Sequence, residues 1–451
     1  MTAFGPDATL AAALTGYPMV AAAAVTGTSE RTATIVPAAT AAPLLHRAAT
    51  LAAAGRLAGL SWYEPADDLL VAQLNRTETD FLYREIVTGT AYLRHGLVLP
   101  ERAVVVDVGA NIGMFTLAVA RRSPGARIVA VEPVAELARA VAVNAELHGA
   151  DVTVVEAALG AAPGEAEFTF YPGNSVMSGR YADPAEDRAV LRGYLLADPA
   201  AQDGRQIDQL IAHRLAGQQR RCRVSPLAEV VAGFGLPRID LLKIDAEKAE
   251  AEVLAGLDEA TWALVEQVAI EVHDINGRLA AVLDELRWRG FRVAYDRDPR
   301  LVRTPCHNVY GIRPGTRVPA TPRPVPAWPT GRALLAELRR RLAADHPGLP
   351  LPDRLVLAAE LPVVGPANTE TAPGGSRAAV LAELWAELFG PEAVHPDADF
   401  FDLGGNSLTA VRLLFGLEQR LGEDVLAPDA VFTASRFGAL AAVLEAGGTG
   451  A

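Results

Sequence analysis

The sequence predicts an α/β protein built on a seven-stranded, mainly parallel, doubly wound sheet, with a small helical bundle after it. Three observations carry this. Between about residue 78 and residue 313 short apolar runs alternate with amphipathic helical stretches, the pattern of strands covered by helices. From Arg377 to about Ala446 the apolar spacing becomes helical, as in Val380, Leu381, Leu384, Trp385 and Leu388. Two Pro- and Gly-rich stretches, Arg313 to Pro329 and Leu361 to Ser376, separate these regions as linkers do.

The elements follow in chain order. The first 75 residues are Ala-rich with weak periodicity, and composition alone does not place them. The strand candidates are Ala103 to Val108, Arg127 to Val131, Val152 to Val155, Ile239 to Ile244, Val268 to Val272, Phe291 to Ala294 and Asn308 to Ile312. Each is short and rich in Val, Ile or Leu, as strands buried on both faces are. The C-terminal helices carry Leu408, Val411, Leu414, Leu417 and Leu421 on one face.

Bulk properties narrow the function. A chain of 451 residues exceeds one ordinary core, so several domains are expected. The net charge of −13 repels a phosphate backbone, which argues against a nucleic-acid partner. The two cysteines, Cys222 and Cys306, form no metal-type or disulfide pattern, which points to a reducing compartment. The run Met19 to Val25 is far too short to span a membrane and no basic segment precedes it, so the reading is a cytoplasmic protein without a membrane partner. Lysine occurs only at Lys243 and Lys248.

Val104 to Phe115 reads VVVDVGANIGMF: a strand ending in Asp107, a tight turn with Gly109, Asn111 and Gly113, then a helix. Glycine lets a ligand approach the backbone, and a helix start offers unpaired N–H groups. The next strand, RIVAVE, ends in Glu132, where a Rossmann-like fold places a carboxylate on ribose hydroxyls. The turn is not Gly-x-Gly-x-x-Gly, which counts against a pyrophosphate ligand. An acidic residue beside the turn suits a cationic one.

DVGANIG, VEP at Glu132, LLKIDAEKAE at Leu241 to Glu250 and IEVHD at Ile270 to Asp274 occur in that order. Together they resemble the FkbM-type methyltransferases from about Thr79 to Arg313, with YREI and Tyr92 similar to the family's lead-in helix. The resemblance implies a class I methyltransferase fold using S-adenosylmethionine, with a hydroxyl the commonest acceptor. Asp107, Gly109, Asn111, Gly113 and Glu132 are then the cofactor-binding candidates. The family usually reads Lys-Ile-Asp-Val-Glu-Gly, whereas this chain has Ala246 and Lys248 in place of the valine and glycine. A lysine there bears on how closely the chain can approach its ligands.

An alcohol acceptor must lose a proton during methyl transfer, so a base is expected at the strand ends where open α/β sheets bind ligands. His273 is the favoured candidate, with Asp245, Glu247 and Glu271 beside it. A capping or hydrogen-bonded structural histidine is the competing reading of His273, and a buried structural carboxylate that of Asp245. No metal is assigned, although spacing alone leaves a metal role open for Asp245, Glu271 and His273.

DADFFDLGGNSLTAVRLLFGLEQRLG, Asp397 to Gly422, resembles the phosphopantetheine attachment region of peptidyl carrier domains, a four-helix bundle. The resemblance implies covalent 4'-phosphopantetheine on Ser407, whose place at a helix start suits a phosphodiester. Leu10 to Ala38 and Leu335 to Pro373 resemble the two ends of the small α+β C-terminal subdomain of adenylation domains, in which methyltransferases occur as insertions. Thr369 falls where that family's catalytic lysine would be, and the large adenylating core is not seen, so no amino-acid activation is expected.

The domains read as 1–40, first part of a degenerate adenylation subdomain; 41–318, methyltransferase; 319–375, remainder of the subdomain and linker; 376–451, carrier. The resulting expectation is a methyltransferase of nonribosomal peptide assembly acting on an acyl group tethered to its carrier, with oxygen favoured as the acceptor. An N-methyltransferase, or a carrier and docking protein with an inactive methyltransferase domain, are the alternatives. Expected partners are a stand-alone or upstream adenylation enzyme, a phosphopantetheinyl transferase and other synthetase modules.

Overall fold

The computed structural model describes residues 6–26, 31–196, 207–208, 211–212, 214–297, 304–316, 330–352, 354–358, 360–361, 377–403, 405, 407–421, 426 and 430–446. Its centre is one seven-stranded sheet. We number the strands β1 (Val104–Val108), β2 (Arg127–Val131), β3 (Asp151–Val155), β4 (Leu241–Ile244), β5 (Gln267–His273), β6 (Arg292–Asp296) and β7 (Cys306–Ile312). The order across the sheet is β6-β7-β5-β4-β1-β2-β3. All neighbours pair parallel except β7, which runs antiparallel between β5 and β6. The seven apolar runs legible in the sequence are these seven strands, with ends shifted by a residue or two.

The sheet is covered on both faces, which is why its central strands are apolar throughout. Val104, Val106, Val108, Leu242, Ile244 and Ile270 pack with Trp262 and Leu286 on one side. Val105, Leu241, Ala269 and Tyr310 pack with Phe115 and Leu117 on the other. The strand order reverses between β1 and β4, and at their carboxyl ends an open α/β sheet has its crevice.

Two smaller sheets were not legible from the sequence pattern. Ser61–Ala66 pairs with Leu69–Gln73, and Gln218–Ser225 lies between Ala158–Leu159 and Gly164–Phe170. The helix Pro184–Leu196 follows the latter sheet's Gly164–Phe170 strand and closes over the crevice.

The chain's early and late stretches meet. Val20–Thr26 pairs antiparallel with Thr32–Pro37, which pairs parallel with Arg354–Leu357. Helices Pro6–Thr15 and Gly331–Asp345 pack Leu10 and Leu14 against Leu338 and Leu342, all fully buried. Residues on either side of the central sheet therefore share one α+β core. The C-terminal helices Arg377–Phe389, Ser407–Leu421, Ala430–Thr433 and Phe437–Ala446 enclose Leu381, Trp385, Phe400, Leu413, Leu417 and Leu440. Among the described residues no helix is long and apolar enough to cross a membrane.

Candidate active site

A cavity of about 270 Å³ opens at the carboxyl ends of β1, β4 and β5. Its first wall is the turn after β1. Gly109 has φ +71°, and a Cβ there would fall 1.7 Å from the Asp245 carbonyl oxygen, so only glycine fits between β1 and β4. Asn111, also left-handed at φ +51°, donates its N–H to Glu132 Oε2 at 2.8 Å and its Nδ2 to Ser175 Oγ at 3.0 Å. Glu132 Oε1 accepts from the Val134 N–H at 3.0 Å. Each Glu132 oxygen keeps a free lone pair, and burial pushes its carboxyl up to about 7.

Asp107 and Gly113 support this wall from behind and are not among the cavity-lining residues. Asp107 is fully buried; Thr116 Oγ1 donates to it at 2.7 Å, and Lys243 Nζ lies 3.2 Å away on the adjacent strand. Lys243 also donates to the carbonyls of Gly109 and Val108 at 2.7 and 3.1 Å. One of the chain's two lysines thus fixes the turn. Gly113, at φ +85°, caps the helix Met114–Arg122.

The strand ends beside the turn hold Asp245, Glu247, Glu271 and His273, all lining the cavity. Tyr92 donates its O–H to Asp245 Oδ2 at 2.8 Å. His273 bonds through Nδ1 to Glu250 at 2.8 Å, and its Nε2 faces Glu247 at 3.5 Å. Arg278 holds the other Glu250 oxygen at 2.7 Å. Burial opposes a charge on His273, but Glu250, Glu247 and Glu271 outweigh it and push the imidazole up to about 10. Burial pushes Glu247 up to about 8, Asp245 and Glu250 adding to the shift and His273 opposing it. Burial, with Asp245 adjacent, holds Glu271 well above the carboxylate range. His273 therefore enters the site as a cation wedged between acidic residues, and Glu247, once ionised, is a proton acceptor facing the cavity.

The ligand-type atoms of Asp245, Glu247 and Glu271 lie within 4.8 Å of one another, as do those of Glu271, His273 and Cys306. Either group has the spacing to hold a metal ion. Ser407 stands at the start of the carrier helix Ser407–Leu421.

Further residues shape the site, and of these Glu78 and Arg278 carried no local signal in the sequence. Glu78 reaches the cavity from the helix Arg76–Leu82 and accepts from both the N–H and the hydroxyl of Ser175; burial pushes it up to about 7. Glu250 and Arg278 position His273 without lining the cavity. Lys248 has φ +74°, the left-handed conformation glycine adopts readily, which is the physical sense of the family glycine. Its ammonium turns to Glu186 at 3.0 Å and Asp187 at 3.1 Å on the helix Pro184–Leu196.

The cavity fits S-adenosylmethionine. Gly109 and Asn111 line it, Glu132 has lone pairs for hydroxyls, Leu137, Leu159 and Phe168 offer an apolar wall, and the strand-end acidic residues complement a sulfonium charge. Sheet order, glycine turn and strand-end carboxylates together define an S-adenosylmethionine-dependent methyltransferase domain. Residues 107–293 match the Methyltransferase FkbM domain, and residues 379–444 match the Phosphopantetheine attachment site, which takes covalent 4'-phosphopantetheine. The chain belongs to the FkbM methyltransferase family and carries a phosphopantetheine carrier domain in the same polypeptide.

The 31-O-demethyl-FK506 methyltransferase FkbM of Streptomyces tacrolimicus is 40% identical over 245 residues, covering 54% of this chain and 93% of that protein. Methyltransferase sdnD of Sordaria araneosa is 34% identical over 240 residues, 51% of this chain and 89% of that one. The AMB antimetabolite synthetase AmbE of Pseudomonas aeruginosa is 37% identical over 380 residues, 76% of this chain. The chain spans 18% of AmbE's length.

Proposed function

We propose that the chain methylates, at oxygen, an amino or hydroxy acyl group held as a thioester on phosphopantetheine at Ser407 during nonribosomal peptide assembly. One observation carries this reading: a cofactor-type turn at Gly109, Asn111 and Glu132 shares one cavity with a carboxylate–imidazole cluster, in a chain that also bears a carrier domain. When bound, S-adenosylmethionine supplies an electrophilic methyl group. Gly109, which lines the cavity, would lie against it, and Glu132 would accept from its ribose hydroxyls through the remaining lone pairs. Asp107 acts through Lys243 to hold the turn.

On the acceptor side Glu247 takes the hydroxyl proton, with Asp245 and Glu271 orienting the acceptor. His273, locked by Glu250, holds Glu247 in place and stabilises its charge. Oxygen is favoured because the S. tacrolimicus relative is named for an O-demethyl substrate. Methylation at nitrogen of a tethered amino acid uses the same cavity and is the second reading. A docking protein with an inactive site is less favoured, since the Lys248 ammonium turns to Glu186 and Asp187.

Residues 1–40 and 319–375 are read as halves of a degenerate adenylation subdomain, 41–318 as the methyltransferase and 376–451 as the carrier. The shared core of Leu10, Leu14, Leu338 and Leu342 supports the pairing of the outer halves. Thr369, at the expected lysine position, lies outside the described residues. The acyl group then arrives from a stand-alone or upstream adenylation enzyme, after a phosphopantetheinyl transferase has modified Ser407, with other synthetase modules taking the product; the setting is the cytoplasm. Intact-mass spectrometry of the loaded, pantetheinylated chain given S-adenosylmethionine tests this. A gain of one methyl that disappears in Ser407→Ala is expected; absence of the gain with every hydroxy and amino acyl group tried overturns the reading.

A further inference from the structure

The carrier helices touch the methyltransferase domain through a polar contact that the proposed chemistry does not use. Arg76, which opens the helix Arg76–Leu82, makes a bidentate pair with Asp399 of the carrier, Nη1 to Oδ1 and Nη2 to Oδ2, the latter at 2.8 Å. The Asp399 side chain is 5% exposed and that of Arg76 19%. The guanidinium lies between two rings, 5.2 Å from the Tyr63 centroid on the methyltransferase side and 5.3 Å from the Phe401 centroid on the carrier side. A planar guanidinium suits both a forked carboxylate and flanking aromatic faces.

Both partners are held in place by their own domains. Ser435 Oγ donates to Asp399 at 2.7 Å and the Phe401 N–H does so at 3.0 Å. Asn75 caps the Arg76 helix, accepting from the Thr77 N–H at 3.0 Å. Asp402 adds a second carboxylate 3.9 Å from Arg76. Beyond Arg76, the same helix supplies Thr77, Glu78 and Phe81 to the cavity wall. The contact therefore sits at the rim of the methyl-transfer cavity, on the helix that forms part of its lining.

We infer that Arg76, between Tyr63 and Phe401, is the docking point at which the chain's own carrier domain seats to present its tethered acyl group to the cavity in cis. The inference rests on the proposed function and adds to it the residues through which the carrier seats. Docking in cis replaces a bimolecular encounter with a high effective concentration, so the acyl group needs little affinity of its own. Phosphopantetheine is common to all carriers, so selectivity for this carrier falls to surface pairs such as Arg76 with Asp399.

The test uses the full chain, pantetheinylated by a transferase and loaded with an acyl group that the parent methylates. Arg76→Asp and Asp399→Arg should each slow single-turnover methylation of the tethered group by about tenfold or more, read by intact mass. The double charge swap should recover most of the rate. Asp399→Arg should accept phosphopantetheine like the parent and methylate a free pantetheine thioester of the same acyl group at the parent rate. Parent rates in the single variants, no recovery in the swap, or equal losses on tethered and free thioesters overturn the docking assignment.

If the parent methylates neither form, the proposed function has failed, and docking is judged separately. Arg76→Cys combined with Asp399→Cys is then treated with a short bis-maleimide, the native Cys222 and Cys306 being buried. An intramolecular cross-link supports the docking point, and none overturns it.

Discussion

Replacing Lys248 by methionine removes the ammonium that ties β4's following turn to the helix Pro184–Leu196, while the residue keeps its left-handed backbone. The Asp187 side chain is 4% exposed and, among the described residues, retains the Tyr171 hydroxyl, at 3.0 Å, as its side-chain donor. Losing a charged hydrogen-bond partner from such a buried carboxylate costs about 2–3 kcal/mol. The Glu186 side chain is 45% exposed, so its share is below about 1 kcal/mol. Lys248→Gly loses the same contacts but relieves a left-handed strain of about 1 kcal/mol, so it should be the more stable of the two variants. Hydrogen exchange on the helix reads this directly: a loss of about 2–3 kcal/mol means roughly 30- to 150-fold faster exchange in Lys248→Met. Because Asp187, Val190 and Leu191 line the cavity, S-adenosylhomocysteine should also bind more weakly by calorimetry. Parent-like exchange in Lys248→Met, or a glycine variant less protected than the methionine one, would refute the latch.

Three further outcomes are expected. Gly109→Ala combines a positive φ with a Cβ only 1.7 Å from the Asp245 carbonyl oxygen; it should lose at least about 3 kcal/mol, seen as a lowered thermal midpoint, together with cofactor binding. Glu132→Ala should weaken S-adenosylhomocysteine at least about tenfold by calorimetry, and parent affinity would remove Glu132 from the cofactor site. Glu247 accepts a proton only when ionised, and its carboxyl is raised to about 8, so single-turnover methylation should climb with pH up to about 8 and level off above. Below that point the rate should drop about tenfold per pH unit, and Glu247→Gln should remove the dependence.

Family, sheet and carrier were legible because they rest on local order. Val104–Val108 is apolar along its length because the sheet buries both faces, and that pattern survives in one dimension. DVGANIG marks a turn whose glycine is required by one neighbouring carbonyl, and the carrier's helical spacing is equally local. Asp245, Glu247, Glu271 and His273 could be named because each stands at or just past a strand's carboxyl end, the place where such sheets bind ligands.

What the sequence by itself determined is the order of elements and the residue types at strand ends. What only the tertiary structure decided is how those residues share protons and which distant residues join them. His273 reads as a base from its position, but Glu250 and Glu247 turn it into a buried cation, because charge state depends on neighbours that folding supplies. Asp107 reads as a ligand residue, but Lys243 and Thr116 take it up across the sheet. Glu78, Lys248 with Asp187, and Arg76 with Asp399 join segments far apart in the chain. No local periodicity encodes such pairs, since their spacing is fixed by the way the layers pack.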